Sequence, residues 1–537
     1  MSDLGDKGFR QSQAFLHTWS GLLLGWVLFA VFAAGTIAYY REGLNRWMRP
    51  ELARVEQPEK VLAGAQRFLE DKAPDAKSWF ITMPGATSHG ATAFWVPQPK
   101  EGETRRRRRS ENQVTIDANG EPAKVRETRG GEFFYRFHFD LYYMPVIYAR
   151  WLVSVAALLM LVAILSGIVT HKKIFRDFFT LRRGKGQRSW PDGHSATAVL
   201  ALPFHLMITY TGLVTLAEML LPWAAAVTFP KEGAFFEALY PEGPPVERSG
   251  RAAPLVDLTA LVRDAEARLG GKAGYVEVVE PGDAAARVSV IRSGSTMLSS
   301  RTPHITYDGV SGKALRRSPE TGAAVVTAGS MIGLHAGRYS SDWLRFLYFL
   351  CGVAGSVMVA SGMVLWTVKR REKLPDPARP HFGFRLVERL NVAAIGGFPL
   401  GVAVMFWANR LLPVEMAGRA AWEVHCLFLA WGAALILSIV RKPQHNWVAL
   451  LGLTGALLAA LPVYNLFGTQ RGLIASLSSG DMMLAGIDIA LLVFGAAFLA
   501  LARRVARHKP AAPRVRRRAA MPLQTAEPVD AQMEPAE

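Results

Sequence analysis

The residues in this chain best equipped for chemistry are its histidines, and they are unevenly placed. Of the twelve, six lie on or beside the first four long apolar segments: His17, His138, His171, His194, His205 and His335. His194 and His205 share the segment GHSATAVLALPFHLMITYTG (193–212), which carries an imidazole toward the middle of an apolar run. Ionisable groups at such depth are costly and tend to be functional. Eleven residues at ~100° each bring His205 back to within ~20° of His194, about 16 Å further along an ideal helix, with Pro203 as a kink point between them. Neutral imidazole can relay protons, hydrogen-bond a neighbouring helix or bind metal. Presented from facing helices of a bundle, it is a good axial ligand for haem iron.

The plainer roles have to be weighed beside this one. A lone histidine at a membrane edge is ordinarily an interfacial anchor, and His205 would serve as a hydrogen-bonding partner or a proton relay. Repetition over four helices is what points to a cofactor. His89, His304, His381, His425, His445 and His508 show no such repetition, although His425 stands beside a span end two residues from Glu423.

The elements that must position these side chains are membrane helices. Half of the 537 residues are hydrophobic, and they concentrate in uncharged runs near 20–40, 146–168, 196–217, 343–367, 391–410, 422–440, 447–467 and 482–502. Each is long enough to cross ~30 Å of hydrocarbon, so about eight transmembrane helices are expected. The basic stretches HKKIFRDFFTLRRGKGQR (171–188), KRREK (369–373), RKPQ (441–444) and RRVARHK (503–509) fall on one side if both termini are cytoplasmic. The polar regions 41–145 and 218–342 then lie outside, in the periplasm of a bacterial cell. His17, His171 and His194 belong to the inner face, His138 and His335 to the outer one.

The Arg105–Arg109 run falls in the first outside region, where long translocated segments largely escape the charge rule, and reads as a solvated loop. The net charge of +18 is explained by cytoplasmic loops and a basic tail, without nucleic acid. Cys351 and Cys426, the only cysteines, fall in apolar spans, so no disulfide framework and no C-x-x-C-H haem attachment exists. H-E-x-x-H, C-x-x-C and carboxylate clusters are absent, which argues against a zinc protease or an iron–sulfur site. Phosphate-binding and dinucleotide fingerprints are absent too, so any electrons must come from another donor, a membrane quinol or a separate reductase.

The outside regions read as small α+β modules. The first (41–145) holds a helix-like EKVLAGAQRFLED and strand-like SWFITM and TAFWVP. The second (218–342) holds an amphipathic helix, VDLTALVRDAEARLG, then three alternating runs, YVEVVEP, ARVSVIRS and HITYDGVSGKAL. A Pro-rich linker, EKLPDPARPHFGF, separates helix four (343–373) from helices five to eight (374–503), and residues 504–537 read as a disordered cytoplasmic tail.

HTWSGLLLGWVLFAVFAAGTIAYYREGLNRWMRPEL resembles the first-helix signature of the PepSY-associated transmembrane proteins. THKKIFRDFFTLRRGKGQRSWPDGHSATAVLALPFHLMITYTGL and GLHAGRYSSDWLRFLYFLCGVAGSVMVASGMVLW are similar to that family's second-to-third and fourth helices. The resemblance covers about residues 10–373. It implies a membrane all-α bundle with periplasmic PepSY-like modules, two b-type haems, and reduction of Fe(III) held by a siderophore. The family histidines match His17, His138, His194 and His335, with His171 and His205 typical of the siderophore-uptake branch. The expected ligands are His138 and His335 for an outer haem and two of His17, His171 and His194 for an inner one. His205 remains open between ligand and relay. The competing expectations are a non-enzymatic PepSY membrane protein that binds peptide or restrains a protease, and a small-molecule permease.

Overall fold

The structure is a computed structural model that describes residues 8–85, 90–99, 112–170, 189–231, 233–239, 245–318 and 322–508. His89, His171, the Arg105–Arg109 run and the tail from 509 onward lie outside the described residues.

Among the described residues, six helices are long and apolar enough to cross a membrane, or up to eight if each of two bent pairs is one span. The first bent pair is α1 (Phe9–Leu23) with α2 (Gly25–Ala38), folded by 68° at Leu24. A short α3 (Arg41–Trp47) follows, and α4 (Pro58–Lys72) opens the polar region. After a second polar stretch come α5 (Gly130–Asp140) and the span α6 (Val146–Thr170). The second bent pair is α7 (Ser189–Leu200) with α8 (Leu202–Thr215), folded by 71°. Beyond three short helices between 217 and 239 lie α9 (Leu258–Leu269), α10 (Ala323–Ala336) and the span α11 (Asp342–Arg371). Four more spans close the chain: α12 (Phe382–Leu411), α13 (Arg419–Val440), α14 (Pro443–Gly468) and α15 (Met482–Ala506).

The expected first and third spans thus each form two helices rather than one rod. At the second break Pro203 lacks the N–H an α-helix needs, so the helix restarts at Leu202 with proline in its first turn. At the first break no proline is present. Leu24 sits between Leu23 and Gly25, in a non-helical conformation (φ −120°, ψ 21°). Span α12 is interrupted differently, by a π-turn at Val392–Gly396, and the Trp431 indole N–H donates to the carbonyl of Ala393 there at 3.0 Å. Single π-turns inside helices loosen the backbone ladder and often mark functional positions.

The two polar regions, separate in sequence, build one sheet. Strands β1 (Ala76–Thr82), β2 (Ala91–Pro97) and β3 (Gln113–Ile116) come from the first region. Strands β4 (Ala273–Val279), β5 (Arg287–Arg292), β6 (His304–Asp308) and β7 (Ala314–Arg317) come from the second. All seven are antiparallel in the order β3-β2-β1-β4-β5-β6-β7, and the seam is β1 against β4, from Ser78 opposite Val279 to Thr82 opposite Tyr275. Helices α4 and α9 cover the sheet with Val61, Leu62, Ala65, Leu69, Leu261, Val262 and Ala265, which share a core with Trp79, Ile81, Val276 and Val288. The sequence marks α9 sharply: Asp257 caps it by accepting from the Thr259 N–H at 2.9 Å, and Gly270, at φ +66°, ends it.

Asp283 fastens the approach to α9. Burial works to raise its carboxyl, but N–H groups of Ala285, Ser249 and Gly250 and the Ser249 hydroxyl all donate to it within 2.9 Å and bring it down to about 2.

Candidate functional site

Five of the six sequence candidates are described, and the helices bring four of them together as two pairs. His17, on α1, faces His194, on α7, with ring centroids 6.3 Å apart. His138, on α5, faces His335, on α10, at 5.9 Å. The second pair lies at the end of the bundle nearest the sheet, because α10 packs on the 298–301 segment through Gly329 and Gly333. The first pair lies toward the opposite end, where Arg10 donates to the carbonyl of Thr170 at 2.9 Å.

The pairs are built alike. In each of the four rings Nδ1 contacts a backbone carbonyl on a neighbouring helix: Ala163 for His17 at 2.7 Å, Val31 for His138 at 2.7 Å, Met358 for His194 at 3.0 Å and Ile208 for His335 at 3.0 Å. A carbonyl only accepts, so Nδ1 carries the proton and the lone pair falls on Nε2 in all four. This is the tautomer and outer-shell bond that metal-binding imidazoles use. Each ring also lies against a glycine of a facing helix. A Cβ on Gly35 would stand 2.6 Å from His138, on Gly167 3.0 Å from His17, on Gly212 2.8 Å from His335 and on Gly362 3.1 Å from His194. These glycines are needed for close approach.

The spacing tests the fit to an iron centre. Two imidazoles on opposite sides of one metal, each bonded at ~2.0 Å with ~1.1 Å from nitrogen to ring centre, have centroids about 6 Å apart. Both pairs meet that requirement.

His205 is different. It is fully buried, its Nε2 donates to the carbonyl of Cys351 at 3.3 Å, and its buried Nδ1 has no hydrogen-bond partner among the described residues. Its tautomer is therefore the reverse of the other four, and it faces Phe32 edge-on rather than a second histidine. Along α11 its contacts, Cys351 and Gly355, precede those of His194, Met358 and Gly362, by seven residues, or roughly 10 Å of rise. Both histidines therefore meet α11, but the 71° break at Ala201 replaces the ~16 Å separation of one unbroken helix with about 10 Å along α11.

Two contributing elements were not visible as helices in the sequence. Both α5 and α10 are too short to span a membrane, yet each inserts its histidine against a bent partner, α2 or α8. The signals for α5 were Phe133, Phe134 and Phe137, which recur at helical spacing and are all buried. Past α5 the chain reverses at Leu141, whose φ of 49° and ψ of −179° belong to a region normally reserved for glycine. Such strain costs about 1–3 kcal/mol and persists only where its surroundings hold it.

The fold and this arrangement define a class: a multi-pass membrane protein whose broken and short inserted helices carry paired histidines beside an antiparallel sheet domain. Residues 14–369 match the model of the PepSY-associated TM region, and the chain belongs to that family. It is also 29% identical over 391 residues to an uncharacterized protein, PA4219, of Pseudomonas aeruginosa, an alignment that covers 68% of this chain and 93% of that one.

Proposed function

We propose that this protein is a haem-containing reductase of the bacterial inner membrane, with both termini cytoplasmic, that delivers electrons to Fe(III) in a periplasmic siderophore complex. The observation that carries the reading is the repeated construction of the two histidine pairs, with one tautomer, one kind of carbonyl anchor and one facing glycine at each ring.

His138 and His335 would hold one haem b, and His17 and His194 the other. Bound there, haem supplies reversible one-electron chemistry. The chain's own contribution is to fix four imidazole rings, keep the lone pair on Nε2 and place the two pairs at opposite ends of one bundle. His205 is the residue between them, with the opposite tautomer, which suits a relay or hydrogen-bonding role rather than a ligand. The substrate chemistry is consistent with one-electron delivery: the hard oxygen donors of a siderophore hold Fe(III) far more tightly than Fe(II), so reduction releases the metal and leaves the chelator intact. The electron would come from a quinol or a partner reductase.

The test is an absorbance spectrum of the detergent-purified protein before and after dithionite. Soret and α bands of a six-coordinate b-type centre are expected. A spectrum without them would overturn the reading in favour of a non-enzymatic membrane protein of the same family.

A further inference from the structure

The four helices α12–α15 carry none of the paired histidines, yet they enclose the most extensive buried polar network among the described residues. Arg419 and Glu423, one turn apart on α13, form an ion pair at 2.5 Å with both side chains fully buried. Glu423 also accepts from the Thr128 hydroxyl at 2.5 Å and from Asn409 on α12 at 2.7 Å. Arg419 donates to the carbonyl of Glu127 at 2.8 Å, and Arg126 to that of Asn409 at 2.7 Å. On the other side of Asn409, Arg410 donates to the carbonyl of Trp47 at 2.9 Å and to Asn465 at 2.8 Å, and Asn465 and the Trp47 indole both donate to Asp488.

These bonds converge on one short stretch of chain. Residues 126–128 lead directly into α5, and the Thr128 hydroxyl that donates to Glu423 also accepts the Gly130 N–H at 3.0 Å. Beyond this anchor, Phe137 stacks on Phe398 of α12 at 5.7 Å, and Phe134 meets Phe406 edge-on at 5.9 Å. One residue further stands His138. The opposite end of α5 is the strained Leu141, beside Asp140, which Arg150 holds at 2.8 Å.

We propose that α12–α15 form a buttress that positions His138, acting through Glu423 and Thr128 at the start of α5. The proposal rests on the two-haem reading for its spectroscopic readout and on the network alone for its structural one. Glu423 and Thr128 are positioning residues; neither contacts the His138–His335 pair.

The experiment uses the full chain with Thr128→Val, Glu423→Gln and the conservative Thr128→Ser. In a redox titration of the haem bands, Thr128→Val and Glu423→Gln should move one of two midpoint potentials and leave the other in place, and Thr128→Ser should restore both. Potentials that all stay put, or that shift together, would overturn the proposal. In parallel, amide exchange over 130–140 should quicken about fivefold in Thr128→Val, as loss of one hydrogen bond implies, while 202–215 stays unchanged. Unchanged exchange at 130–140 would overturn it even in a chain that binds no haem, whereas absent haem bands with quickened exchange would sink the two-haem reading alone. Thr128→Val leaves no buried charge unpaired, so the test survives if Glu423→Gln does not fold.

Discussion

The two halves of the helical bundle solve opposite problems. In the first, through α11, two spans are broken, two short helices insert beside them, and glycines stand at each place where a paired histidine meets a neighbouring helix. In the second, α12–α15 are single helices, only one of them interrupted by a π-turn, and their buried polar groups bond largely to each other, to Trp47 of α3 and to the chain entering α5, while Arg419 Nε and Asp488 Oδ2 are left without a partner among the described residues. Broken helices make room for side chains that must face a shared centre. Continuous helices cross-linked by buried ion pairs and amide bonds make a wall. Sites in membrane proteins are commonly built from interrupted helices supported by intact ones.

The sharpest way to break this contrast is to remove a paired histidine. His138→Ala or His335→Ala should lose half of the bound haem and nearly all siderophore-iron reduction, read by haem quantification and by capture of Fe(II) with a chromogenic chelator. His205→Ala should keep the full haem complement; loss of haem there would make it a ligand. Next in size is the wall itself. Arg419→Met strands the Glu423 charge in a buried site and should cost about 3–5 kcal/mol in thermal or denaturant unfolding, whereas Arg419→Met with Glu423→Leu should recover most of it.

Glycines sharpen the comparison at intermediate size. Gly212→Ala would place a methyl 2.8 Å from the His335 ring and should weaken haem retention, while Gly486→Ala on α15, which meets nothing within 4 Å, should be neutral or stabilise by about 0.5–1 kcal/mol. A separate effect, confined to acid pH, is expected in the sheet domain. A carboxyl held at about 2 contributes stability that is fully present above the ordinary aspartate range near ~4 and is lost as pH falls through the lower value. Acid titration followed by the fluorescence of Trp79 and Trp95 should show that loss, and Asp283→Asn should flatten it.

How much of this was legible in the sequence differs by element. The spans were readable because twenty uncharged residues have few other uses. Pro203 made the second break foreseeable, but the first, at Leu24, carries only Gly25 after it and was hidden. Strand positions followed from alternation in YVEVVEP and ARVSVIRS; the pairing of β1 with β4 did not, since alternation names a buried face and not a partner strand. Periodicity over eleven residues assumed one helix axis, so it gave the separation of an unbroken rod, whereas the bent pair brings His194 and His205 to positions seven residues apart along α11. Arg419 and Asp488 carry no motif in the sequence, and only the fold reveals that they belong to one network with Thr128.

The seam between β1 and β4 has a consequence for how the protein is made. The segment between the two strands contains α6 and the bent α7–α8 pair, so the sheet cannot be completed until those helices have entered the bilayer. Until then β1 waits with an unpaired edge, the condition in which strands aggregate or recruit chaperones. Closure of the sheet therefore depends on the helices between the strands: a chain whose second hairpin failed to integrate would lack the β1–β4 seam.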